Sequence, residues 1–534
     1  MKTYYINGTI LTMEEQLYAE AICVENGRVI AVGTKEKVLA EKTEEDQVIN
    51  LQGKALLPGF IDGHSHFVGT ANSMTQCDLS ECMSFQEIVD LMKEFKERRG
   101  MNDEEWILGC NYDHNFLKEG RHPDRYVLDQ ISKTNPILLV HASSHMGTAN
   151  SRALELGGVN EHSEDREDGR YGRVEGTMTP NGYMEEKVFL EFQAKIPMPS
   201  IEKLMRLIGE AQNLYASYGI TTIQDGMVGK PLFQLLKAAS DMGILKDDVV
   251  GYLDVMTAAD LVDDMPEYVG NYQNHFKIGG FKIFLDGSPQ GKTAWMLEPY
   301  EGEKDYRGYP IHSDEALKGY ISVALEKGQQ LLAHCNGDAA AEQYVTQFEQ
   351  ALEERKEKES YRPVMVHAQL VRKEQLERMK AIGMMPSFFV AHTYYWGDIH
   401  MKNFGPERAS HISPVKDAVD LNLKYTFHQD TPVVPPDMMR TVYSAVNRIS
   451  KSGQVIGEEE RVSVLDALKA ITIYGAYQYQ EEQEKGSIAV GKKADFVILD
   501  ENPLEVPVEH LAEIQVLATI KENEVIYQKD GNTR

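Results

Sequence analysis

Residues 56–67, LLPGFIDGHSHF, combine an apolar run with two histidines that are separated by one small residue. In an extended strand the side chains alternate between faces, so His64 and His66 point the same way and could bind one metal ion. An apolar run of this length is also typical of a buried strand. The stretch therefore predicts a strand that leads into a metal site.

Seven more short apolar runs follow, and helix-length amphipathic segments separate most of them. The eight runs are LLPGFID, GITTIQD (219–225), DVVGYLDV (248–255), IGGFKIFLD (278–286), QQLLAHC (329–335), RPVMVHA (362–368), GMMPSFF (383–389) and LKYTFHQD (423–430). Eight parallel strand–helix units predict an α/β fold, a (β/α)8 TIM barrel over 56–481. The first and second runs lie too far apart for an ordinary loop, so we expect a long insertion after strand 1, at about 71–200.

The two ends of the chain have a different sequence pattern from the strand–helix alternation between them. TYYINGTIL and EAICVENGRVIAVG near the start, the latter with an Asn26-Gly27 turn, read as short paired strands. GSIAVGKKADFVILDEN and VLATIKENEVIYQ repeat this pattern near the end. We expect residues 1–55 and 482–534 to form one small β-sandwich domain together, with the barrel inserted between them.

The net charge of the chain indicates which classes of molecule the protein binds. With 55 basic and 83 acidic residues the formal net charge is −28, which argues against nucleic acid and anionic lipid surfaces and favours a small-molecule substrate. No secretory apolar core or membrane-length apolar run is present, so the sequence predicts a soluble cytoplasmic protein without membrane contact. Five scattered cysteines without a C-x-x-C pair argue against disulfides and a thiolate zinc site. Homo-oligomer formation stays open.

Metal-ligand residue types recur at the ends of the predicted strands. In such barrels the reactive residues lie at the carboxyl ends of the strands, where the loops converge. The first run leads to the histidine pair and the fourth carries a lysine, while the fifth, sixth and eighth end in a histidine, a histidine and an aspartate. In chain order these candidates are His64, His66, Lys282, His334, His367 and Asp430.

This arrangement resembles the amidohydrolase superfamily of metal-dependent hydrolases over nearly the whole chain. LPGFIDGHSH is similar to its first-strand motif, and GKKADFVILDENP to its return into the terminal β domain. GRHPDRYVLDQISKTNPILLVHASSHMGTANSRAL, FKIFLDGSPQGKTA, AHCNGDAA and FHQDTPV resemble the branch that contains N-substituted formamide deformylase.

The resemblance implies a set of ligands for one or two divalent ions, with zinc as the expected metal. His64, His66 and Asp430 would bind one ion, and His334 and His367 the second. Lys282 would be carboxylated, because its carbamate can bridge two cations and an ammonium group cannot bind one.

The resemblance also implies the chemistry. Metal-activated water would cleave a carbon–nitrogen bond of the amide type, in a non-peptide small molecule such as an N-acyl or N-formyl amine. Asp430 would be the catalytic residue, accepting a proton from the water and delivering it to the leaving nitrogen, which departs poorly as an anion.

Each of these residues also has a structural interpretation. His334 or His367, taken singly, could be a hydrogen-bonded core histidine. Lys282 could pair with Asp286 on the same strand face, which would leave a mononuclear site. Asp430 could be a helix cap before Pro432.

Several further residues are candidates for substrate binding. His145 lies in SSHMGTANS, a segment of the insertion whose motif resembles a substrate-facing loop. The stretch HTYYWGD (392–398) follows the seventh strand and supplies His392, Tyr394 and Trp396, although aromatic clusters often serve only for packing. His428 shares a strand face with Asp430.

Three other functions compete with amide hydrolysis. A deaminase would use the same histidines around one ion, but deaminases of this superfamily generally lack the lysine of the fourth strand. Hydrolysis of an ester, lactone or phosphotriester would need no change in the metal site. A non-catalytic amidohydrolase-like scaffold is the alternative from another class, although every expected ligand position is filled here.

Overall fold

A computed structural model describes residues 1–143, 145–166, 168–197, 200–355 and 361–529. The chain divides into two compact units. The first unit comprises Met1–Thr70 and Ile208–Arg534, and the second comprises Ala71–Leu207. The second unit covers the region in which the sequence predicts an insertion.

The first unit contains a curled sheet of eight parallel strands, each hydrogen-bonded to the next in chain order. The strands are β1 (Phe60–Ile61), β2 (Ile220–Val228), β3 (Asp248–Asp254), β4 (Phe276–Phe284), β5 (Gln330–Cys335), β6 (Val364–His367), β7 (Met385–Phe388) and β8 (Thr426–Phe427). Each of the eight predicted apolar runs contains or overlaps one of them, which confirms the α/β class. The outer strands approach each other, since the Gly63 N–H after β1 donates to the Phe427 carbonyl of β8 at 3.3 Å.

Helices follow most of these strands and cover their apolar side chains. Those of the first unit are Lys35–Leu39, Lys230–Asp241, Leu261–Asp264, Asp314–Glu326, Asp338–Arg355, Lys373–Ala381, His392–Ser410, Val415–Asp420, Met438–Asn447, Val464–Ala470 and Ile473–Gln478. Three short 3-10 helices are Pro266–Tyr268, Glu458–Glu460 and Val508–Glu513. The helices Phe67–Ser73 and Ile201–Ser217 contain the boundaries between the two units.

Strands from both ends of the chain form a second sheet in the first unit. In spatial order they are Glu524–Gln528, Val516–Lys521, Phe496–Leu499, Ala55–Pro58, Thr3–Leu11, Tyr18–Glu25 and Arg28–Gly33, and Gln47–Asn50 also pairs with Thr3–Leu11. The turn at Asn26 and Gly27 has positive φ at both residues, 50° and 72°, as a tight hairpin turn requires. The hairpin predicted there is confirmed.

Buried ion pairs connect the C-terminal segment to the start of β3. Asp248 accepts from Lys485 at 2.5 Å and from Lys521 at 2.7 Å, and its other oxygen lies 2.9 Å from His275 Nδ1. Burial alone would raise the pKa of Asp248, but the two lysines hold it well below its usual range. An ionised carboxylate is therefore paired inside the first unit.

The second unit has its own sheet and core. In spatial order its strands are Gly169–Arg173, Pro180–Glu185, Met146–Ala149, Ile137–His141, Ile107–Tyr112 and Gln76–Asp78, and its helices are Phe85–Arg99, Arg125–Leu128, Ser151–Gly157 and Glu186–Gln193. The longest of these helices is capped by Ser84, whose Oγ accepts the Glu87 N–H, and ends at Gly100 with a φ of 59°. Its apolar face is buried in the core of this unit.

Within the described residues, no helix combines the length and the apolar character that crossing a membrane requires.

We expect Asp247→Asn to stabilise the protein more at pH 8 than at pH 5. Asp247 is buried, neither of its carboxylate oxygens has a hydrogen-bond partner among the described residues, and burial raises its pKa well above the usual range. A raised pKa favours folding below the pKa of the unfolded chain, and this contribution is lost as the pH rises. Asparagine does not titrate, so the variant should gain about 1–3 kcal/mol at pH 8.

Thermal unfolding at both pH values measures this effect. Asp241→Asn, at an exposed carboxylate, is the control and should show no such dependence on pH. An equal change at pH 5 and pH 8 in Asp247→Asn would contradict a neutral buried carboxyl group.

Candidate metal centre

The histidines at or just after the carboxyl ends of three strands, β1, β5 and β6, lie together in the first unit. The ring centroids of His64 and His66 are 5.1 Å apart, those of His64 and His367 are 5.7 Å apart, and those of His334 and His367 are 4.4 Å apart. Lys282 on β4 reaches the same place, with its Nζ 3.2 Å from His64 Nε2. The curled sheet therefore brings residues that are distant in sequence to one point.

Asp430 lies at the centre of this group. Its Oδ1 is 3.4 Å from His64 Nε2 and 3.4 Å from His66 Nε2. Within the part of the chain that the structure describes, no group donates a hydrogen bond to this buried oxygen. Ligand atoms of His64, His367 and Asp430 all lie within 4.8 Å of one another. A buried carboxylate oxygen without a donor, facing ring nitrogens, is an arrangement that a cation would stabilise.

The backbone at Asp430 is unusual for this residue type. Its φ is 55°, in the left-handed region, and its N–H donates to the His64 carbonyl at 3.2 Å. This conformation costs energy in residues other than glycine and is enriched at functional sites. The turn after β8 is thus held against the segment after β1, which places the carboxylate beside both imidazoles.

Hydrogen bonds from β2 fix the tautomers of the histidine pair. His64 Nδ1 lies 2.5 Å from Gln224 Oε1, and His66 Nδ1 lies 3.1 Å from the Gly226 carbonyl. The Gln224 amide nitrogen donates to the Gly63 carbonyl and to the Tyr479 hydroxyl, so its oxygen must be the acceptor. Both rings therefore donate from Nδ1, which leaves each Nε2 on the side of Asp430. Against the effect of burial, Asp430 raises the pKa of His66, and Lys282 Nζ lies 3.2 Å from His64 Nε2.

Lys282 is fully buried beside the histidines. Burial lowers its pKa to about 7, although the charge of Asp430 opposes this. The alternative partner, Asp286, instead accepts backbone N–H groups from Trp295, Asn336 and Gly337. None of the described ion pairs includes Lys282, so the pairing with Asp286 is not found.

His334 and His367 differ in their surroundings. His334 Nε2 lies 2.7 Å from the Asn336 side-chain nitrogen, and its Nδ1 has no partner among the described residues. His367 Nδ1 lies 3.1 Å from His428 Nε2, and the other ring nitrogen of His428 contacts Ser387. Burial lowers the pKa of all three histidines well below the usual range, which favours neutral rings. The predicted contact of His428 with substrate stays a prediction.

Phe389, directly after β7, packs against both the aromatic stretch 392–398 and His428 of the candidate centre. The Phe389 ring is 5.2 Å from His428, 4.3 Å from His392 and 6.0 Å from Trp396. Tyr394 instead packs against the Arg440 guanidinium at 4.8 Å. The structure thus groups two of the three aromatic-stretch candidates near the histidines, and their contact with substrate remains a prediction.

His145 belongs to the second unit. Its side chain is 63% exposed, and its Nδ1 lies 3.2 Å from Glu186 Oε2. Its predicted role in substrate binding is not tested by these contacts.

Two residues that the sequence did not single out contribute to this centre. Gln224 and Phe389 both lie in or beside predicted apolar strands, where each reads as part of the core. A polar residue inside an otherwise apolar run, as in GITTIQD, is the one sequence signal that could have indicated Gln224.

Comparison with known proteins agrees with this geometry. The model of the Amidohydrolase family matches residues 47–527. The chain belongs to the amidohydrolase family. This amidohydrolase is 28% identical to the putative amidohydrolase YtcJ of Bacillus subtilis (strain 168), over 99% of this chain and 100% of the relative. It is 25% identical to the N-substituted formamide deformylase of Arthrobacter pascens, over 99% of this chain and 98% of the relative.

A solved structure resembles this amidohydrolase throughout. An uncharacterized metal-dependent hydrolase from Pyrococcus furiosus aligns with a TM-score of 0.76 and 26% identity, over 95% of this chain and 100% of the other. The protein is thus a metal-dependent hydrolase, and the superfamily predicted from its motifs is confirmed.

We expect Gln224→Leu to lower the affinity for zinc about 10–100-fold, as loss of an outer-shell partner of a ligating histidine commonly does. Leucine keeps the volume but removes the acceptor that fixes the His64 tautomer. Competition between the metal-depleted protein and a chelator of known affinity measures the change.

Gln330→Leu is the matched control. Gln330 is also a buried strand glutamine that donates to two carbonyl groups, but it begins β5 while His334 lies toward the end of that strand. This variant should lose stability and keep its zinc affinity. Equal losses of affinity in the two variants would contradict a specific role for Gln224.

Proposed function

We propose that this protein hydrolyses the carbon–nitrogen bond of a small N-acyl or N-formyl amine, using divalent metal held at the candidate centre. The observation that carries the proposal is Asp430 Oδ1, which has no described hydrogen-bond donor and lies 3.4 Å from two imidazole nitrogens. The amine class is supported by the similarity to N-substituted formamide deformylase.

The side chains fit a metal cofactor. His64, His66 and Asp430 offer two imidazole nitrogens and one carboxylate oxygen, a donor set that suits zinc. His334 and His367 would serve a second ion, and a carboxylated Lys282 would bridge the two. The position of the Lys282 amine, 3.2 Å from His64 Nε2, supports that bridging role.

The chemistry follows from the residues at the centre. A divalent ion bound there would activate water and polarise the carbonyl group of the substrate. Asp430 is the residue that moves the proton: its carboxylate accepts it from the attacking water and returns it to the leaving nitrogen. The side chain is 15% exposed, so it is both held by the protein and open to a substrate.

Other side chains would bind and orient the substrate. The rings of Phe389, His392 and Trp396 pack against one another, and Phe389 lies beside His428. Such a surface suits the hydrocarbon part of an amine substrate. We include His145 and Tyr394 as further candidate contacts.

The proposal extends to the architecture. We infer that the curled sheet closes into a (β/α)8 barrel, which the Gly63–Phe427 hydrogen bond supports, and that the terminal strands form a β-sandwich domain. We also infer a cytoplasmic enzyme without nucleic acid or membrane partners.

A matched set of substrates tests the reaction. We expect zinc-loaded protein to hydrolyse an N-formyl alkylamine or its N-acetyl counterpart faster than the ester of the same acid. Release of ammonia from an aromatic amine, with no amide hydrolysis, would instead support the deaminase. Metal binding without turnover of any substrate class would favour the scaffold.

We expect Asp430→Asn to lower kcat on an N-formyl alkylamine about 100–10,000-fold, because asparagine cannot transfer the proton. An aryl ester serves as the control substrate, since a phenolate leaves without protonation and its hydrolysis should fall less. Metal content is measured in the same samples. Equal losses on both substrates would contradict proton delivery by Asp430.

We expect Lys282→Ala to lose metal and activity together if the lysine is a carboxylated bridge. A short carboxylic acid added to the variant should restore part of both, because it replaces the bridging oxygens. Elemental analysis with and without the acid measures the metal. Two tightly bound ions in the unrescued variant would contradict the bridge.

A further inference from the structure

Three metal-ligating side chains lie together in the second unit, apart in sequence from the candidate centre. The strands Ile107–Tyr112 and Ile137–His141 are parallel neighbours, and Tyr112 pairs with His141. Asp113 and His114 follow the first strand directly. The carboxyl ends of these two strands therefore bring an aspartate and two histidines to one edge of the sheet.

The three ligand atoms form a nearly regular triangle. His114 Nδ1 is 3.3 Å from His141 Nε2, while Asp113 Oδ1 is 3.6 Å from His141 Nε2 and 3.7 Å from His114 Nδ1. A tetrahedral zinc ion with bonds of about 2.0–2.2 Å separates its ligand atoms by about 3.3–3.6 Å. The triangle thus needs a contraction of only a few tenths of an ångström.

We propose that Asp113, His114 and His141 bind a divalent transition-metal ion, with zinc as the expected metal. Two imidazoles and one carboxylate form a common donor set for such ions, and a fourth position remains for water. Asp113 and His114 are partly exposed, so that position is open to solvent. The site is separate from the proposed hydrolysis and does not depend on it.

Neighbouring groups hold the three ligands in place. Asn115 donates to Asp113 Oδ1 from its backbone and its side chain, at 2.9 and 2.8 Å, so an ion bound to this oxygen would take the place of one of these donors. The His122 ring stacks on His114 with centroids 3.9 Å apart. The Ser143 N–H donates to His141 Nδ1 at 3.0 Å, so coordination through Nε2 requires this N–H to turn away and the Ser143 hydroxyl, also 3.0 Å from Nδ1, to accept the ring N–H instead.

The same contacts also allow a metal-free arrangement. A proton between His114 Nδ1 and His141 Nε2 would make a hydrogen bond at 3.3 Å, and the Ser143 N–H would then donate to His141 Nδ1. In that case zinc would bind elsewhere in the protein and leave this edge of the sheet unchanged. Measurements of zinc content and of amide exchange at this edge of the sheet distinguish the metal-bound from the metal-free arrangement.

The experiment compares zinc binding by the full chain and by two double variants. After metal depletion and dialysis against zinc, His114→Gln with His141→Gln should hold about one zinc per chain less than the unmodified protein. His162→Gln, at a histidine of the same unit whose side chain is 87% exposed, is the control and should keep all its zinc. His64→Asn with His66→Asn removes ligands of the candidate centre only.

Hydrogen–deuterium exchange gives the second measurement, because it locates the ion. Zinc should slow exchange at residues 112–122 and 141–143 in the unmodified chain and in the His64/His66 variant, but not in the His114/His141 variant. Equal zinc content in the unmodified and His114/His141 proteins would overturn the proposal. So would unchanged exchange at these residues when zinc is added.

Discussion

The structure depends on one electrostatic constraint, which is the burial of several unpaired polar groups at the carboxyl ends of the parallel strands. Asp430 Oδ1 has no described donor, His334 Nδ1 has no described partner, and Lys282 lies among imidazoles. Polar groups in such surroundings are costly unless they have hydrogen bonds or bind a cation. The imidazole rings cannot rotate freely to relieve this cost. The Gln224 Oε1 atom and the Gly226 carbonyl lie within hydrogen-bond distance of the Nδ1 atoms of His64 and His66 and hold both rings in place. The two rings are therefore oriented by hydrogen bonds that do not depend on a bound ion.

Much of the first unit could be predicted from sequence because of what its strands must do. Strands covered on both faces are continuous apolar runs, so each of the eight could be recognised without alternation of polar residues. The same geometry explains why the candidate ligands were found, since each of them lies near the end of a run. The histidine pair after β1 was informative because two residues two positions apart share a face of an extended strand. The roles of these residues in binding metal remain predictions, whereas their proximity is an observation.

The remaining features depend on tertiary contacts that leave no local pattern. Gln224 sits in an apolar strand, and only the hydrogen bonds of its amide nitrogen reveal that its oxygen serves His64. His114 and His141 are 27 residues apart and meet because two parallel strands of the second unit pair in register. Nothing in the separation of those histidines along the chain predicts that register. Periodicity thus reports burial and secondary structure, but not which polar groups will face each other.

The terminal sheet has a consequence for how the protein is made. Tyr5 donates a hydrogen bond to Asn523, 518 residues further along the chain. The N-terminal strands pair with one another, but one edge of Ala55–Pro58 pairs with Phe496–Leu499. A ribosome adds roughly 5–20 residues per second, so this edge emerges well before its partner strand exists. Until then this strand edge is unpaired, and such edges can associate with other chains. The strands Phe496–Leu499, Val516–Lys521 and Glu524–Gln528 must be synthesised before this sheet is complete, so its N-terminal half waits for more than 400 residues of chain.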